Sequence, residues 1–430
     1  MGGRQNNSDS YASNNRSEYD TNTNHSNIVK SASSNIDKSL TYPIVGSNQK
    51  KFYNDHTATS RPDKGDDYYG QDASYKQNSP SYQNNGDGTV TDLNTGLMWQ
   101  KAFKKIEWNN AATDAKRATT GGYTDWRVPT IKESYSLILF NGSTGTGRPN
   151  SRSAPSNAIP YIATNYFDFE YGTGNRYIDA QYITSTSYLG KIMNNQEGFF
   201  GVNFADGRIK CYPKQGNRNS RKWYVRYVRG SKDYGKNKFV DNRDGTISDK
   251  TTGLMWLQTD SGNTKFQSIL SRFIRKDGSM NWKEALNFCE NMNFAGKSDW
   301  RLPTAKELQS LVNYNRSPSA TMSPAIDPIF KATEIKDEGK SRNYPFYWSS
   351  TTHLDGRELG RNAVYVAFGE ALGFMRSRYS SDYKLMDVHG AGAQRSDPKI
   401  GNPSDHPKGF GPQGDVRRIF NYVRPVRDIK

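Results

Sequence analysis

The chain repeats itself, and a repeat constrains architecture more tightly than local propensity because both copies must solve one packing problem. NNGDGTVTDLNTGLMWQK at 84–101 is answered by DNRDGTISDKTTGLMWLQ at 241–258, and GGYTDWRVPTIKE at 121–133 by AGKSDWRLPTAKE at 295–307. Later, YITSTS (182–187) matches YWSSTT (347–352), and YVRYVR (224–229) matches YVRPVR (422–427). Trp108 lies 18 residues before Trp126, and Trp282 lies 18 before Trp300. Trp99 to Trp108 spans 9 residues but Trp256 to Trp282 spans 26, and a further extension, which contains 387–414, lies directly before the final YVRPVR. Additions confined to such places read as loop growth on a fixed scaffold. Three segments follow: a leader, 1–40, with 17 Asn or Ser and expected disorder; a first repeat, 41–230; and a second, 231–430.

Each copy reads as hairpin, helix, helix, then several strands. Asp87-Gly88 and Asp244-Gly245 sit between β-prone pieces, where a hairpin turn needs a residue with positive φ. Asn281 with Glu284, Thr130 with Glu133 and Thr304 with Glu307 have capping-box spacing. The helices they start bury Ala285, Cys289 and Met292, or Leu137, Ile138 and Phe140, or Leu308, Leu311 and Val312.

The formal charge is +16, with a net of zero over 1–40 and +8 over each of 41–230 and 231–430. The excess therefore belongs to the repeats and not to a tail. Sulfated or uronic glycans and anionic cell surfaces are natural partners for such a chain, while simple solubility is the plainer reading. The mean hydropathy of −0.92, together with 27 Tyr, suggests small cores and much presented surface. No apolar run reaches the roughly 18 residues a membrane helix needs. MGGRQNNSDS has no export-signal pattern. An Asn/Ser-rich leader nonetheless fits a spacer on an exported chain, so an extracellular, cell-surface or periplasmic location is expected. Cys211 and Cys289 cannot build a disulfide framework, and the five histidines show no helical ligand spacing, so no metal and no cofactor is expected.

Most motifs read as scaffold. Trp99 and Trp256 recur inside Leu-Met-Trp runs and are assigned to the core. Asp125, Trp126 and Arg127, like Asp299, Trp300 and Arg301, are read as a buried ring beside a carboxylate–guanidinium clip that orients the next helix. NRDGTISD fails the EF-hand template because Val240 would occupy its first ligand position. His389 has no nucleophile or phosphate loop near it in sequence and is read as structural or at the surface. The segment after Gly207 stands apart. Arg208, Lys210, Lys214, Arg218, Arg221 and Lys222 are cations with no acid among them, interleaved with Tyr212 and Trp223. Cations suit sulfates and aromatic rings suit sugar faces, so this segment is the candidate polyanion site. Arg226 and Arg229 are set aside as scaffold because Arg424 and Arg427 repeat them.

The boxes DGTVTD–TGLMW, W-x-x-A, DWR-P-T-x-K-E, a late Ser-Ser/Thr and YVR-x-VR, in this order and in two copies, resemble the Lcl C-terminal domain family. The resemblance spans roughly 42–428. It implies an exported α+β module, two tandem C-type-lectin-like domains here, each with a hairpin, two short helices and a mixed or antiparallel sheet. It also implies adhesin-like binding of a sulfated polysaccharide. Relatives pair a cysteine of the W-x-x-A helix with one inside the last box. Here Cys289 keeps the helix position but Pro425 replaces its partner, and Ala115 and Tyr227 stand at both places in the first copy. The resulting expectation is a binding protein and not an enzyme, recognising a polyanionic glycan or matrix component. Its rival is a structural protein that assembles into oligomers or filaments through homotypic contacts. Nucleic acid is the less favoured partner. An oxidase of the lectin-like fold would need a reactive cysteine pair, and the two cysteines lie in different copies.

Overall fold

A computed structural model describes residues 37, 39–147, 151–215, 221–376, 382–411 and 413–429. The expected disorder of 1–40 concerns a stretch almost wholly outside the described residues, as does Arg218. Residues 34–430 form one compact unit.

In the first copy the strands β1 (Tyr82–Asn84), β2 (Thr89–Asp92) and β3 (Met98–Gln100) follow the lead-in. Then come β4 (Lys104–Glu107), the helices α1 (Trp108–Ala115) and α2 (Ile131–Ser136), and the strands β5 (Gln181–Ser187), β6 (Gly198–Asn203), β7 (Arg208–Pro213), β8 (Lys222–Val225) and β9 (Val228–Arg229). The second copy repeats the plan with β10 (Phe239–Asp241), β11 (Thr246–Asp249), β12 (Leu254–Leu257), α3 (Trp282–Glu290) and α4 (Ala305–Ser310). It closes with β13 (Phe346–His353), β14 (Asn362–Ala367), β15 (Leu372–Arg376), β16 (Tyr383–Asp387), β17 (Gln394–Pro398) and β18 (Val426–Asp428). Mixed α/β structure dominated by sheet, with few short helices, is what the repeat predicted.

Local chemistry explains the elements. Gly88 and Gly245 hold φ of 85° and 88° in the two hairpin turns, a region that costs glycine nothing. The Asp244 carboxylate closes its turn, accepting from the Thr246 amide at 2.9 Å and hydroxyl at 2.6 Å. Full capping boxes start α2, α3 and α4. One pairing expected from the sequence is corrected. Arg127 does not clip Asp125 but Glu133, with one contact of 2.7 Å and another of 2.5 Å, and Arg301 does the same with Glu307 at 2.7 and 2.8 Å. Asp125 and Asp299 instead meet the last arginines of their copies, Arg229 and Arg427, each at 2.6 Å. The capping-box Glu turns back to accept from its N-cap amide, which brings its carboxylate within reach of the Arg just before the cap.

Hairpins β1–β2 and β10–β11 each grow into four-stranded sheets, β9-β3-β2-β1 and β10-β11-β12-β18, so the first and last boxes of each copy are neighbours. The remaining strands form one eight-stranded sheet in the order β13-β14-β17-β7-β6-β5-β8-β4. Its centre is the join between the copies: β7 and β17 pair antiparallel through Ile209 and Gln394, and the Cys211 amide donates to the His389 carbonyl at 2.9 Å. The two halves therefore meet edge to edge, and each covers an edge that the other would leave unpaired. The extension 387–414 is thus more than loop growth, since it supplies β17. The hairpin β15–β16 forms its own two-stranded sheet, tied to the extension by a bridge between Gly373 and Asp415.

One face of the joined sheet carries a core common to both copies, including Ile209, Cys211, Val364 and Val366 with Trp99, Ile138, Trp256 and Leu308. The other face carries two separate cores, one around Phe199, Tyr212, Trp223 and Trp126, the other around Trp282, Trp300, Trp348 and Tyr365. Cys211 and Cys289 are free buried thiols in different cores.

A reciprocal contact fastens the copies. Lys306 of α4 donates to the terminal carbonyl of α2, Ser136, at 2.8 Å, and Lys132 of α2 donates to the terminal carbonyl of α4, Ser310, at 2.8 Å. Burial pushes both amines down to about 7. A lysine whose folded value lies below its unfolded one leaves the unfolded chain holding more protons between the two, so stability rises with pH over that window. From pH 7 to 9 the unfolding free energy of the parent should climb more steeply than that of a Lys132→Met, Lys306→Met variant. The difference is bounded by about 1.4 kcal/mol per pH unit for each lysine. Equal slopes in urea titrations would show that the two amines stay charged.

Candidate functional site

Strand alternation turns Ile209 and Cys211 into the common core and Arg208 and Lys210 to the opposite face. There they meet Arg395 and Asp397 of β17, in the gap between the two separate cores. A cavity of about 200 Å³ lies over this join, walled by Arg176 and Thr144 from the first copy and by Asp355, Phe410, Asp415 and Arg417 from the second.

Its carboxylates are engaged, although Asp206 keeps a buried Oδ1 without a hydrogen-bond partner. Asp206 contacts Arg208 at 3.1 Å, and Asp355 pairs with Arg208 across the join and accepts from Thr144 at 2.9 Å. Burial alone would raise the Asp355 carboxyl, but Arg208, helped by His353, holds it far below the usual range. Asp415 pairs with Arg395 and lies 2.8 Å from His389 Nε2. Burial lowers His389 and His353 to about 4, so both rings are neutral near pH 7. Asp397 is raised to about 7 by burial. The cations are not balanced in the same way. Lys210 has no hydrogen bond or ion pair among the described residues, and burial, with Arg395 beside it, pushes it down to about 7. Arg395 keeps a buried Nη1 without a partner. Arg417 lies 3.7 Å from the Phe410 ring centroid and makes no ion pair among the described residues. Donors left open on Lys210, Arg395 and Arg417 give the cleft positions from which an oxyanion can be held.

The structure distributes the segment singled out in the sequence. Arg208 and Lys210 line the cleft, Arg208 as a strut between copies. Lys214 sits 4.6 Å above the Trp108 ring and 3.8 Å from Glu197, while Arg221 stacks at 3.9 Å on Trp223 and Lys222 is exposed opposite Glu107. None of these three lines the cleft. Tyr212 and Trp223, expected to offer ring faces to a ligand, are buried together with centroids 5.1 Å apart, because both belong to the first copy's separate core. Arg395, Asp415 and Arg417 escaped the sequence reading because they lie in the extension, which has no counterpart in the first copy. Their only signal was a cluster of charges in a segment read as a loop.

Arg226 and Arg424 hold backbone instead of ligand. Arg424 donates to the carbonyls of Leu257 at 2.9 Å, Gln258 at 2.8 Å and Lys331 at 2.9 Å, and Arg226 grips those of Gln100, Lys101, Ala102 and Asp168.

The fold and site define a class: a tandem-repeat α/β protein whose copies share one sheet and enclose a cationic cleft at their join. The chain belongs to the Lcl C-terminal domain family, which matches residues 88–229 and 245–387. The second match ends where the extension carrying β17 begins. No curated protein and no solved structure matches the chain. Among the described residues no helix is long and apolar enough to cross a membrane, and no cluster of three or more His, Cys, Asp or Glu could hold a metal ion.

Proposed function

We propose that this chain is an adhesin-like surface protein, a binding module and not an enzyme, that recognises a polyanionic glycan through the cleft at the join. The observation that carries the reading is the convergence on one cavity of Lys210 and Arg417, which make no ion pair among the described residues, with the open Nη1 of Arg395. The family name supports a surface role, and the resemblance supports a C-type-lectin-like arrangement of each copy with an extracellular location. The equal +8 excess of the two repeats adds long-range attraction for a polyanion.

The test is retention on heparin and titration with heparin at two salt concentrations. Lys210→Gln with Arg417→Gln should weaken binding on the order of tenfold and flatten the salt dependence, since each charge contact carries released counterions. Lys232→Gln with Lys236→Gln, outside the cleft, is the control. Equal losses in both variants would reduce the charge to a solubility device. Arg208 is left intact because its removal would strand Asp206 and Asp355.

A further inference from the structure

The cleft does not end at Arg417. The same side chain lines a second cavity of about 470 Å³, bounded by Arg275, Lys336 and Arg418 and by Pro403, Phe420 and Tyr422. Arg275 lies 4.5 Å from the Phe420 ring centroid, and Arg418 lies 4.0 Å from that of Phe346. Glu338 takes the Nε and Nη2 of Arg418 at 2.8 and 2.9 Å and leaves a buried Nη1 without a partner. Asp277, the other acid here, is engaged by the amide and hydroxyl of Ser279 at 3.0 and 2.7 Å. Arg275 and Lys336 make no ion pair among the described residues. A guanidinium laid on a ring keeps its orientation while its N–H edge stays open to an oxyanion.

Resting on the reading of the cleft as a glycan site, we propose that both cavities form one groove that takes an acidic oligosaccharide, with at least two anionic groups of one chain bound at once. Lys210 and Arg395 hold one group, Arg275 and Lys336 another, and Arg417 stands between them. A single small anion could satisfy only one compartment. Phe410 and Phe420 each carry an arginine against the ring and Phe346 is buried beneath another, so these rings form no open row on which successive bases could stack, and this favours a sulfated or uronic sugar over single-stranded nucleic acid. The groove belongs to this chain's own elaboration of the repeat, because the insertion after the second TGLMW brings Arg275 and the last extension brings Arg417 and Arg418.

Calorimetric titration of the full chain with a heparin-derived tetrasaccharide and dodecasaccharide tests this. The dodecasaccharide should bind at least tenfold tighter. Arg275→Gln with Lys336→Gln, both exposed side chains, should remove that gain while leaving tetrasaccharide affinity and the melting temperature as in the parent. Equal affinity for the two lengths, or a length gain untouched by the variant, would overturn the groove while leaving the cleft. Failure of both saccharides to bind would overturn the glycan reading itself. Equal binding of an oligothymidylate of matched charge would overturn the choice of ligand class.

Discussion

Replacing Trp300 with Ala should cost about 3–5 kcal/mol, the range for a fully buried aromatic side chain whose cavity cannot close. Trp300 is 1% exposed, and its indole N–H donates to the Phe294 carbonyl at 3.2 Å. Trp126, 3% exposed, occupies the same place in the first copy and donates to Thr120 at 3.1 Å, so Trp126→Ala should behave alike. Domains of this size are held by only about 5–15 kcal/mol, so either change removes a large share. Urea titration followed by far-ultraviolet dichroism would read the loss. A variant that unfolds with the parent's midpoint yet binds heparin less well would instead place the DWR box in the ligand site.

Arg424→Met should be comparably damaging, about 3–5 kcal/mol, for a different reason. The Arg424 guanidinium is wholly buried, serves three carbonyls from two loops, and stands 3.9 Å from Asp260. Removing it leaves those acceptors and a buried carboxylate without their cation. Arg229→Met makes the contrast. Arg229 lies in the last box of the first copy, but its partner Asp125 is largely exposed, and the loss should stay within about 1 kcal/mol. Melting curves of the two variants measured together would separate a buried anchor from a surface pair. Equal shifts would show that the last box acts as one unit in both copies.

These variants also mark how far residue pattern reached. The repeated Trp, the three capping boxes, the hairpin glycines and the anchoring duty of Arg226 and Arg424 were legible because each acts within its own copy and recurs at fixed spacing. The partners of the DWR carboxylates were not. Asp125 finds Arg229 and Asp299 finds Arg427 across more than a hundred residues, and nothing local distinguishes these arginines from nearer ones. The candidate site was half legible. The run of cations from Arg208 to Lys222 begins on a strand that lines the cleft, but alternation sends only Arg208 and Lys210 there and buries Tyr212 and Trp223 on the first copy's core.

What the sequence alone determined is the short-range part of each copy: the order of its repeated boxes, its helix starts, its turns and the repeated Trp of its core. Periodicity and capping are short-range, and two copies testified to each of them. Only the tertiary structure decided that the copies share one sheet through β7 and β17, exchange Lys132 and Lys306, and leave cationic donors open where they join. Such a join depends on which edges remain unpaired once each copy has folded, and a strand's pairing partner is set by geometry across the whole chain and not by its own residues.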